Sequence, residues 1–477
     1  MPARRQRPGR HSPIRRPSTD RRPPAVARGA GPGHADRRLP HAGIPGYPVR
    51  PADRHGVLRV ATAEIDDRGG AGTPGRAWLA PLLLTLAVQS VASFLLRLPP
   101  TVGPILTAER GVSPAAVGYL SGAAMIGSML FLLAGAPLME RVGSVRTLQI
   151  GLVAGAFGVA LMALPSGPVL IAAVVLMGLG YGPSTPAGSD ILHRFVPPHR
   201  QALVFSIKQA GVPIGGVLAG LILPPLVERG GLTAALAVSA LIALTTVLAV
   251  QPVRRRVDPA GPEGPPLTLA RFLSPDNLLT PILVLRSTPG LVRLALSGLM
   301  LAVSQGVWIA FLVTILVDRF GLGLIAAGGL FAIMQTAGSV GRIGLGWIAD
   351  RIGSGTLTLR VAAGLSAACT LALALLPATT PIPLVAMLCT LAGATVTGWN
   401  GVQIAEVARI SPRGRVRETA AGATLLLFTG YVLGPMAFAL AVSATHGYAG
   451  PLLAVALLTA VSALVPRGTT GADVSRP

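Results

Sequence analysis

The sequence predicts an all-α integral membrane protein with twelve transmembrane helices in two six-helix bundles. Composition is the first reason, because 51% hydrophobic and only 12% charged residues leave too little polar surface for a soluble chain of 477 residues. The second is that long stretches contain no charged residue at all. The third is a short charged pattern that occurs twice, at 138–143 and 348–353. Together these observations indicate a duplicated membrane protein.

The uncharged stretches set the number of helices. Three runs contain no charged residue, and each is about twice the ~20 residues that cross a bilayer: 147–189, 361–405 and 419–466. Each run is therefore predicted to form a hairpin of two helices. The turns fall where Gly and Pro cluster, at 165–168, 377–383 and 446–451. Single spans are predicted at 78–106, 115–139, 201–227, 232–253, 294–317 and 322–341. Small residues at i and i+4 predict close helix contacts in the fifth span, at Gly211, Gly215, Gly216 and Gly220.

The chain is predicted to have five segments. They are an Arg/Pro-rich disordered tail at 1–76, an N-terminal bundle at 77–253, a cytoplasmic linker at 254–293, a C-terminal bundle at 294–466 and a second tail at 467–477. The first tail holds sixteen arginines against six acidic residues and has no helical or strand period. Because this positive charge is not spread over a folded face, nucleic acid is not an expected partner.

The arginines also predict the orientation of the chain. If the amino end is cytoplasmic, inner loops and helix ends carry seventeen arginines, and outer loops carry only Arg110, Arg229 and Arg319. Each of those three stands beside an acidic residue, so the bias follows the positive-inside rule. We therefore expect a multi-pass protein of the cell inner (plasma) membrane, monomeric in the lipid bilayer, with both termini cytoplasmic.

The repeated pattern combines an acidic residue, an arginine and a glycine at the inner end of a helix. The first copy, 138–143, reads LMERVG, and the second, 348–353, reads IADRIG. The acidic residue can pair with basic residues or face the N-terminus of a neighbouring helix, and the glycine allows a tight turn. A single copy could be a solvated turn that only fixes topology. Two copies at equivalent positions favour a role in both halves.

The second copy resembles the loop signature of the major facilitator superfamily, Gly-x-Leu-Ala-Asp-Arg-x-Gly followed by basic residues. Residues 346–353 read GWIADRIG, whereas in the first copy Ala136 replaces the leading glycine and a glutamate replaces the aspartate. The resemblance covers about 78–466 and implies the major facilitator fold, in which two halves rock around a central site. It also implies that loop residues hold the cytoplasmic sides of the halves together in the outward-open state. These gating candidates are Glu140, Arg141, Gly143, Arg146, Arg342, Asp350, Arg351 and Gly353.

Two basic residues inside the predicted spans are candidates for substrate binding, because an ionisable group in lipid is costly. Arg97 stands just before Pro99 and Pro100, which are expected to break or kink the helix and to free backbone groups beside the guanidinium. The segment 97–106 is also similar to the first-helix motif of cyanate-permease-like members of the superfamily. Lys208 is the only lysine in the chain and lies roughly 10 Å into the fifth span. For both residues the alternative is a side chain that snorkels to the nearer interface.

Two cations in one half, without an acidic residue at comparable depth, would attract an anion in a cavity of low dielectric constant. The hypothesis is therefore a small anionic organic solute, such as a carboxylate. Neutral polar side chains within the spans are further candidates for the cavity wall, although a hydrogen bond between helices is the alternative for each. They are Gln89, Gln305, Gln335, Asn400 and Tyr431.

The chain is thus predicted to be a secondary transporter that works by alternating access. It is not expected to be an enzyme. It has no nucleotide-binding loop of the Walker kind, no metal-ligand spacing and no catalytic triad, so no cofactor is expected. A proton remains open as the coupled ion. One alternative is a proton-coupled drug exporter, since 211–216 is similar to an antiporter motif, although Val212 separates its Gly and Pro. The other alternative is a membrane receptor or scaffold that does not transport.

Overall fold

The computed structural model describes residues 78–197, 200–258, 266–272, 283–286, 290–412 and 415–465. The predictions for the tails at 1–76 and 467–477, and for most of the linker, lie outside these residues. All regular secondary structure in the described ranges is helical, as expected from the sequence. The described residues also belong to one compact unit of the chain.

The first half of the described chain contains nine helices. They are α1 (Leu79–Thr101), α2 (Gly103–Arg110), α3 (Ala116–Ala134), α4 (Ala136–Val142), α5 (Ser144–Leu161), α6 (Gly167–Tyr181), α7 (Ser184–Phe195), α8 (Gln201–Gln209) and α9 (Gly211–Val257). A short helix in the linker is α10 (Leu269–Phe272). The helices of the second half are α11 (Leu291–Asp318), α12 (Leu324–Ile352), α13 (Gly355–Leu375), α14 (Ile382–Val396), α15 (Asn400–Ile410), α16 (Val416–Thr445) and α17 (Ala449–Leu464).

Ten helical segments of the described chain are long and apolar enough to cross a membrane. One of them, Leu203–Val257, has 55 residues, far more than the ~20 that one crossing needs. It turns at Gly231, whose backbone (φ 70°, ψ −179°) is accessible essentially only to glycine. Both arms reach the same face of the bundle, because Lys208 lies beside Gly188 of α7 and Asp258 lies beside Gly143. The predicted total of twelve spans counts this segment twice and includes the shorter apolar helix α17.

The helix ends differ slightly from the predicted division into segments. Helix α9 continues past residue 253 to Val257, and α11 begins at Leu291 rather than at 294. These differences of four and three residues exceed the roughly one or two residues by which assignments of helix ends usually vary. The division into bundles and linker stays a prediction.

The glycines of the first arm of α9 mark its two contact faces. Gly215 lies directly against Ser90 of α1, whereas Gly220 lies against Gly328 of α12 in the other half. A Cβ atom at either position would collide with backbone, so only glycine allows the approach. The predicted helix contacts are confirmed, and they divide into one pair within the first half and one pair between the halves.

We call the side of the bundle that carries the two repeated loops the inner face. On the opposite, outer side the two halves are packed backbone to backbone. Gly118, near the start of α3, lies against the carbonyl oxygen of Pro435 and the ring of Phe311. The rings of Phe311 and Phe438 are also stacked at a tilt, with centroids 4.7 Å apart. The described arrangement is therefore closed towards the outer face.

Candidate functional site: a central cavity between the halves

A cavity of about 180 Å³ lies between the two halves of the bundle. Its wall is built from both halves, mainly from α1, α3, α6 and α8 on one side and α11, α12, α15 and α16 on the other. Pro100 and Pro435 lie at its outer end. Gln209, Ile404 and Thr424 continue the wall towards the inner face. The closed outer side thus separates the cavity from the outer face.

Arg97 reaches the cavity from a broken helix. Helix α1 ends at Thr101, directly after the two prolines, and α2 begins at Gly103, so the break expected from the sequence is confirmed. Prolines lack the N–H that would bond the carbonyl four residues earlier, which leaves backbone acceptors near the guanidinium. Arg97 lines the cavity, and its buried Nε has no hydrogen-bond partner among the described residues. A buried guanidinium N–H without a partner is available to a ligand.

Arg342 is the second arginine of the cavity, and it comes from the other half. It lies on α12, and its Nε donates to the carbonyl oxygen of Thr397 over 3.2 Å. Thr397 stands at the break between α14 and α15, so the arginine is held at a helix discontinuity. Arg342 was expected to act in gating because it precedes the repeated loop. The structure places it about 12 Å along α12 from Asp350, at the cavity wall. Its gating role stays a prediction.

Gln305, Asn400 and Tyr431 form one hydrogen-bonded cluster in the wall of the second half. Asn400 Nδ2 donates to Gln305 Oε1 over 3.0 Å, and Tyr431 Oη lies 3.0 Å from the same oxygen and 3.1 Å from Asn400 Oδ1. The three side chains come from three helices, and all three line the cavity. Both predicted roles, cavity wall and interhelical contact, are therefore combined in one cluster.

Tyr181 is a cavity residue that the sequence analysis missed. It is the last residue of α6, and Gly182 and Pro183 follow before α7 begins at Ser184. The signal was present in the sequence, because a polar aromatic residue directly before a Gly-Pro pair within the second, uncharged helix of a hairpin marks a helix break. Gln209 and Thr424 were missed as well, and nothing in their local sequence distinguishes them.

Arginine supplies all of the charge in the described wall of the cavity. None of the described lining residues is acidic, and the two charged ones are Arg97 and Arg342. Guanidinium groups bind carboxylate and phosphate oxygens through paired, charge-assisted hydrogen bonds. In a site shielded from water their attraction for an anion is much stronger than in solution. The cavity is therefore suited to a small anion.

Lys208 and Gln89 lie behind the wall rather than in it. Lys208 is only 1% exposed, so it does not snorkel to the interface, which was the alternative from the sequence. Its Nζ donates to Gln209 Oε1 over 3.2 Å, and Gln89 Nε2 donates to the same oxygen, also over 3.2 Å. Gln209 is the residue of this group that lines the cavity. Direct substrate contact by Lys208 or Gln89 stays a prediction.

Gln335 is also outside the described wall of the cavity. It is buried on α12, and its side chain lies against Gly216 of α9, where the two halves meet. The structure therefore gives it a packing position between the halves, and substrate contact by Gln335 stays a prediction.

The first repeated loop is held by residues that follow the first bundle. Gly143 has a positive φ of 87°, and the Asp258 carboxylate accepts hydrogen bonds from the backbone N–H groups of Val145 and Arg146, over 3.2 and 2.9 Å. Glu140 Oε2 forms an ion pair with Arg271 Nη2 at 2.6 Å. Arg146 extends its side chain to Gln149 Oε1 over 3.2 Å.

The second repeated loop repeats the glycine turn with other partners. Gly353 has a positive φ of 71°, and the following residue, Ser354, caps α13 by accepting from Leu357 N over 3.2 Å. The Arg351 guanidinium lies 5.9 Å from the centroid of the Trp347 ring, and Asp350 is exposed. The gating roles assigned to the loop residues, including Arg141, stay predictions.

The sequence profile of the Major Facilitator Superfamily matches residues 82–435. Because the match covers more than half of the chain, the chain belongs to the Major Facilitator Superfamily. The family and fold predicted from the repeated loop are confirmed.

Proteins with similar sequences are named as transporters. An uncharacterized MFS-type transporter of Mycobacterium tuberculosis is 26% identical over 298 residues, which are 62% of this chain and 63% of that relative. The chain thus spans less than two thirds of this relative's length. A 4-hydroxybenzoate transporter of Pseudomonas aeruginosa is 25% identical over 281 residues, 52% of this chain and 61% of the relative. A hexuronate transporter of Bacillus subtilis is 25% identical over 142 residues, 29% of this chain and 34% of the relative.

Solved structures show the same fold at low sequence identity. A bacterial homolog of the human lysosomal transporter Spinster, in an inward-facing and occupied conformation, superposes with a TM-score of 0.65 at 17% identity, over 83% of this chain and 96% of that chain. A POT family transporter in complex with 5-aminolevulinic acid gives a TM-score of 0.67 at 13% identity, over 83% and 96%. These similarities support the fold and carry no substrate to this chain.

Proposed function

We propose that this chain is a secondary transporter that moves a small organic anion across the plasma membrane by alternating access. The observation that carries the proposal is the pair Arg97 and Arg342, which come from different halves and line one cavity. None of the described residues of that wall is acidic. When the halves rock, the distance between the two guanidinium groups changes, so the affinity for an anion changes with the conformation.

The cavity wall favours a carboxylate that also carries hydroxyl groups. A carboxylate can accept charge-assisted hydrogen bonds from both arginines. The cluster of Gln305, Asn400 and Tyr431 offers neutral groups that donate to and accept from a hydroxyl group. Hexuronate and 4-hydroxybenzoate, the compounds named for two relatives, both belong to this class. We propose hydroxylated carboxylates as the substrate class here.

The repeated loops are proposed to close the inner face in the opposite state. In that state Glu140, Arg141, Asp350 and Arg351 hold the inner ends of the two halves together, and the cavity opens outward. In the described arrangement the Glu140 carboxylate pairs with Arg271 instead. The proposal includes a monomer with both termini cytoplasmic, a proton as the coupled ion and no chemical conversion of the solute.

Counterflow in liposomes tests the proposal. Purified protein is reconstituted into liposomes preloaded with unlabelled 4-hydroxybenzoate or glucuronate, and uptake of the same labelled compound is followed. We expect the label to accumulate transiently. Excess unlabelled carboxylate should abolish this accumulation, and protein-free liposomes should not show it. Thermal unfolding with each compound gives binding independently, since a ligand of the folded state stabilises it.

Two outcomes would replace the proposal by its alternatives. If a lipophilic cation such as tetraphenylphosphonium stabilises the protein and exchanges across the membrane while neither carboxylate does, the chain is an exporter of cationic drugs. If a carboxylate raises the melting temperature but no counterflow occurs, the chain is a receptor that binds without transport.

A further inference from the structure

Lys208 is a buried amine that the proposed anion site does not contact. It is the only lysine of the chain, lies on α8 and is 1% exposed. Its Nζ has one described polar partner, the neutral amide oxygen of Gln209, at 3.2 Å. An ammonium group in an apolar interior without a counter-charge is costly, and such groups are usually paired or lose their charge.

Helix α8 packs against α1, α7 and α9, and the groups of these helices that face Lys208 are uncharged. From α7, Gly188 lies so close that a Cβ there would be 2.8 Å from Lys208 Cε; Thr85 and Gln89 of α1 lie next to this position. The first arm of α9 has charged residues only at its outer end, Glu228 and Arg229.

The charged and titratable residues on the packed helices have other partners or lie farther away. Asp190 of α7 forms an ion pair with Arg194 at 2.8 Å and accepts from Ser144. His193 Nδ1 lies 3.1 Å from Gln201 Nε2. Arg97 on α1 is about 12 Å along the helix from Gln89. Among the described residues, no carboxylate is placed to neutralise Lys208.

Gln209 connects Lys208 to the cavity. Its Oε1 accepts from both Lys208 Nζ and Gln89 Nε2, and its side chain forms part of the cavity wall. One amide side chain therefore separates the amine from the space in which the anion is proposed to bind. An anion in that space is the available counter-charge for an ammonium at this position, because the interaction is strong where water is excluded.

We propose that Lys208 is the proton site that couples proton movement to anion movement. This inference rests on the proposed function and names its coupling residue. With the anion bound, the Lys208 amine accepts a proton on its nitrogen lone pair and the ammonium is compensated. When the anion leaves, the N–H bond breaks and the proton returns to water on the side where the anion was released. One proton accompanies one negative charge, so a monoanion is carried without net charge movement.

Gradient-driven accumulation, measured beside counterflow, tests the inference. Liposomes with wild type, K208Q, K208R or the exposed control R255Q are given an inside-alkaline gradient of one pH unit, with the membrane potential clamped to zero. Labelled 4-hydroxybenzoate is the probe. For one proton per anion, wild type and R255Q should accumulate the label about tenfold. K208Q and K208R should keep counterflow within about tenfold of wild type and reach an accumulation ratio of about one. Arginine serves as the second variant because it keeps the charge but does not release the proton.

Each other outcome overturns a defined part of the account. Tenfold accumulation by K208Q or K208R would overturn Lys208 as the proton site. Loss of counterflow together with loss of the ligand-induced thermal shift in K208Q would make Lys208 an anion ligand instead, which also overturns the inference. Counterflow by wild type without gradient-driven accumulation would leave anion transport intact and remove proton coupling. Absence of counterflow in wild type would instead remove the proposed function.

Discussion

The two halves of the bundle share a backbone plan and contribute different chemistry to the cavity. Each half has an apolar segment that breaks near its middle, after Tyr181 in the first half and before Asn400 in the second. The second half places hydrogen-bonded amides around Tyr431, so its wall is pre-organised. The first half contributes Arg97, whose Nε has no described partner. The two halves thus share a framework, while one wall holds a hydrogen-bonded polar cluster and the other has an unsatisfied donor.

The two repeated loops also share a backbone conformation and differ in the residues that hold it. Both turn at a glycine with positive φ, at Gly143 and Gly353. Around the first glycine, the following helix is capped by Asp258, which comes from the end of α9. At the second, the capping residue is the neighbouring Ser354. The glycine turn is therefore a property of the pattern, whereas its partners depend on which half is considered.

Removal of either cavity arginine should have the largest effect. Loss of a charge-assisted hydrogen bond costs about 1.5–3 kcal/mol, which corresponds to a roughly 10- to 150-fold slower counterflow of 4-hydroxybenzoate at low concentration. We expect Arg97→Gln to be the more harmful variant, because the Nε of Arg342 already donates a hydrogen bond to Thr397. The exposed Arg255 provides the control, and R255Q should transport at the wild-type rate. Equal losses in R255Q and R97Q would assign the effect to lost positive charge in general.

Alanine substitution of the two loop glycines should lower the folding stability of the protein by different amounts. Gly143 has φ 87° and ψ 161°, and a Cβ there would lie 2.6 Å from the Asp258 carboxylate carbon. Gly353 is left-handed helical, with no atom within 4 Å of an added Cβ. We expect Gly143→Ala to cost about 3 kcal/mol of folding free energy and Gly353→Ala about 1 kcal/mol. Thermal unfolding in detergent measures both, and equal shifts in melting temperature would contradict the difference.

Loss of one hydroxyl in the polar cluster should weaken binding moderately. Tyr431→Phe removes one neutral hydrogen-bonding group from the wall, worth about 1 kcal/mol or roughly fivefold in the dissociation constant of 4-hydroxybenzoate. Tyr448→Phe is the matched control, because Tyr448 donates to Asp318 over 2.7 Å outside the cavity. Burial, together with the Asp318 carboxylate, raises the pKa of Tyr448, so this hydroxyl stays protonated at neutral pH. Weaker binding in the Tyr448 variant would show that the effect is not local to the cavity.

The two helix caps next to the loops should contribute similar, small amounts. Asp258→Asn removes the charge at the start of α5, and Ser354→Ala removes the cap of α13. Each change should lower the free energy of unfolding by about 1 kcal/mol. Melting temperatures of both variants, compared with that of R255Q, check the expectation. A loss in only one variant would show that one of the two loops does not depend on its cap.

The large-scale organisation was predictable because it depends on composition and repetition. Stretches without charge marked the spans, the repeated pattern marked the duplication, and Pro99 with Pro100 marked the break after Arg97. A loop motif is local in sequence, so the family followed from the residues around Asp350. None of these inferences required knowledge of how a helix is rotated about its own axis.

The cavity wall was only partly predictable, because that rotation decides which side chains face the cavity. Lipid-facing and protein-facing sides of these helices are both apolar, so the sequence does not show which polar residue faces the centre. Arg97, Gln305, Asn400 and Tyr431 line the wall, whereas Gln335 faces a glycine between the halves. Lys208 and its neighbour Gln209 are consecutive, and only the second is part of the wall. The sequence shows that Arg342 lies near the loop motif, but it does not show where the side chain points. Arg342 was therefore assigned to the loop.

Equilibrium binding by the double variant R97Q/R342Q tests the central claim most directly. Isothermal titration of purified wild type and variant with 4-hydroxybenzoate and with glucuronate gives the dissociation constants, and thermal unfolding without ligand confirms that the variant is folded. The account predicts that a carboxylate binds the wild type and that the double variant binds it at least about 100-fold more weakly. Binding of that carboxylate by the folded double variant with the wild-type dissociation constant would contradict it.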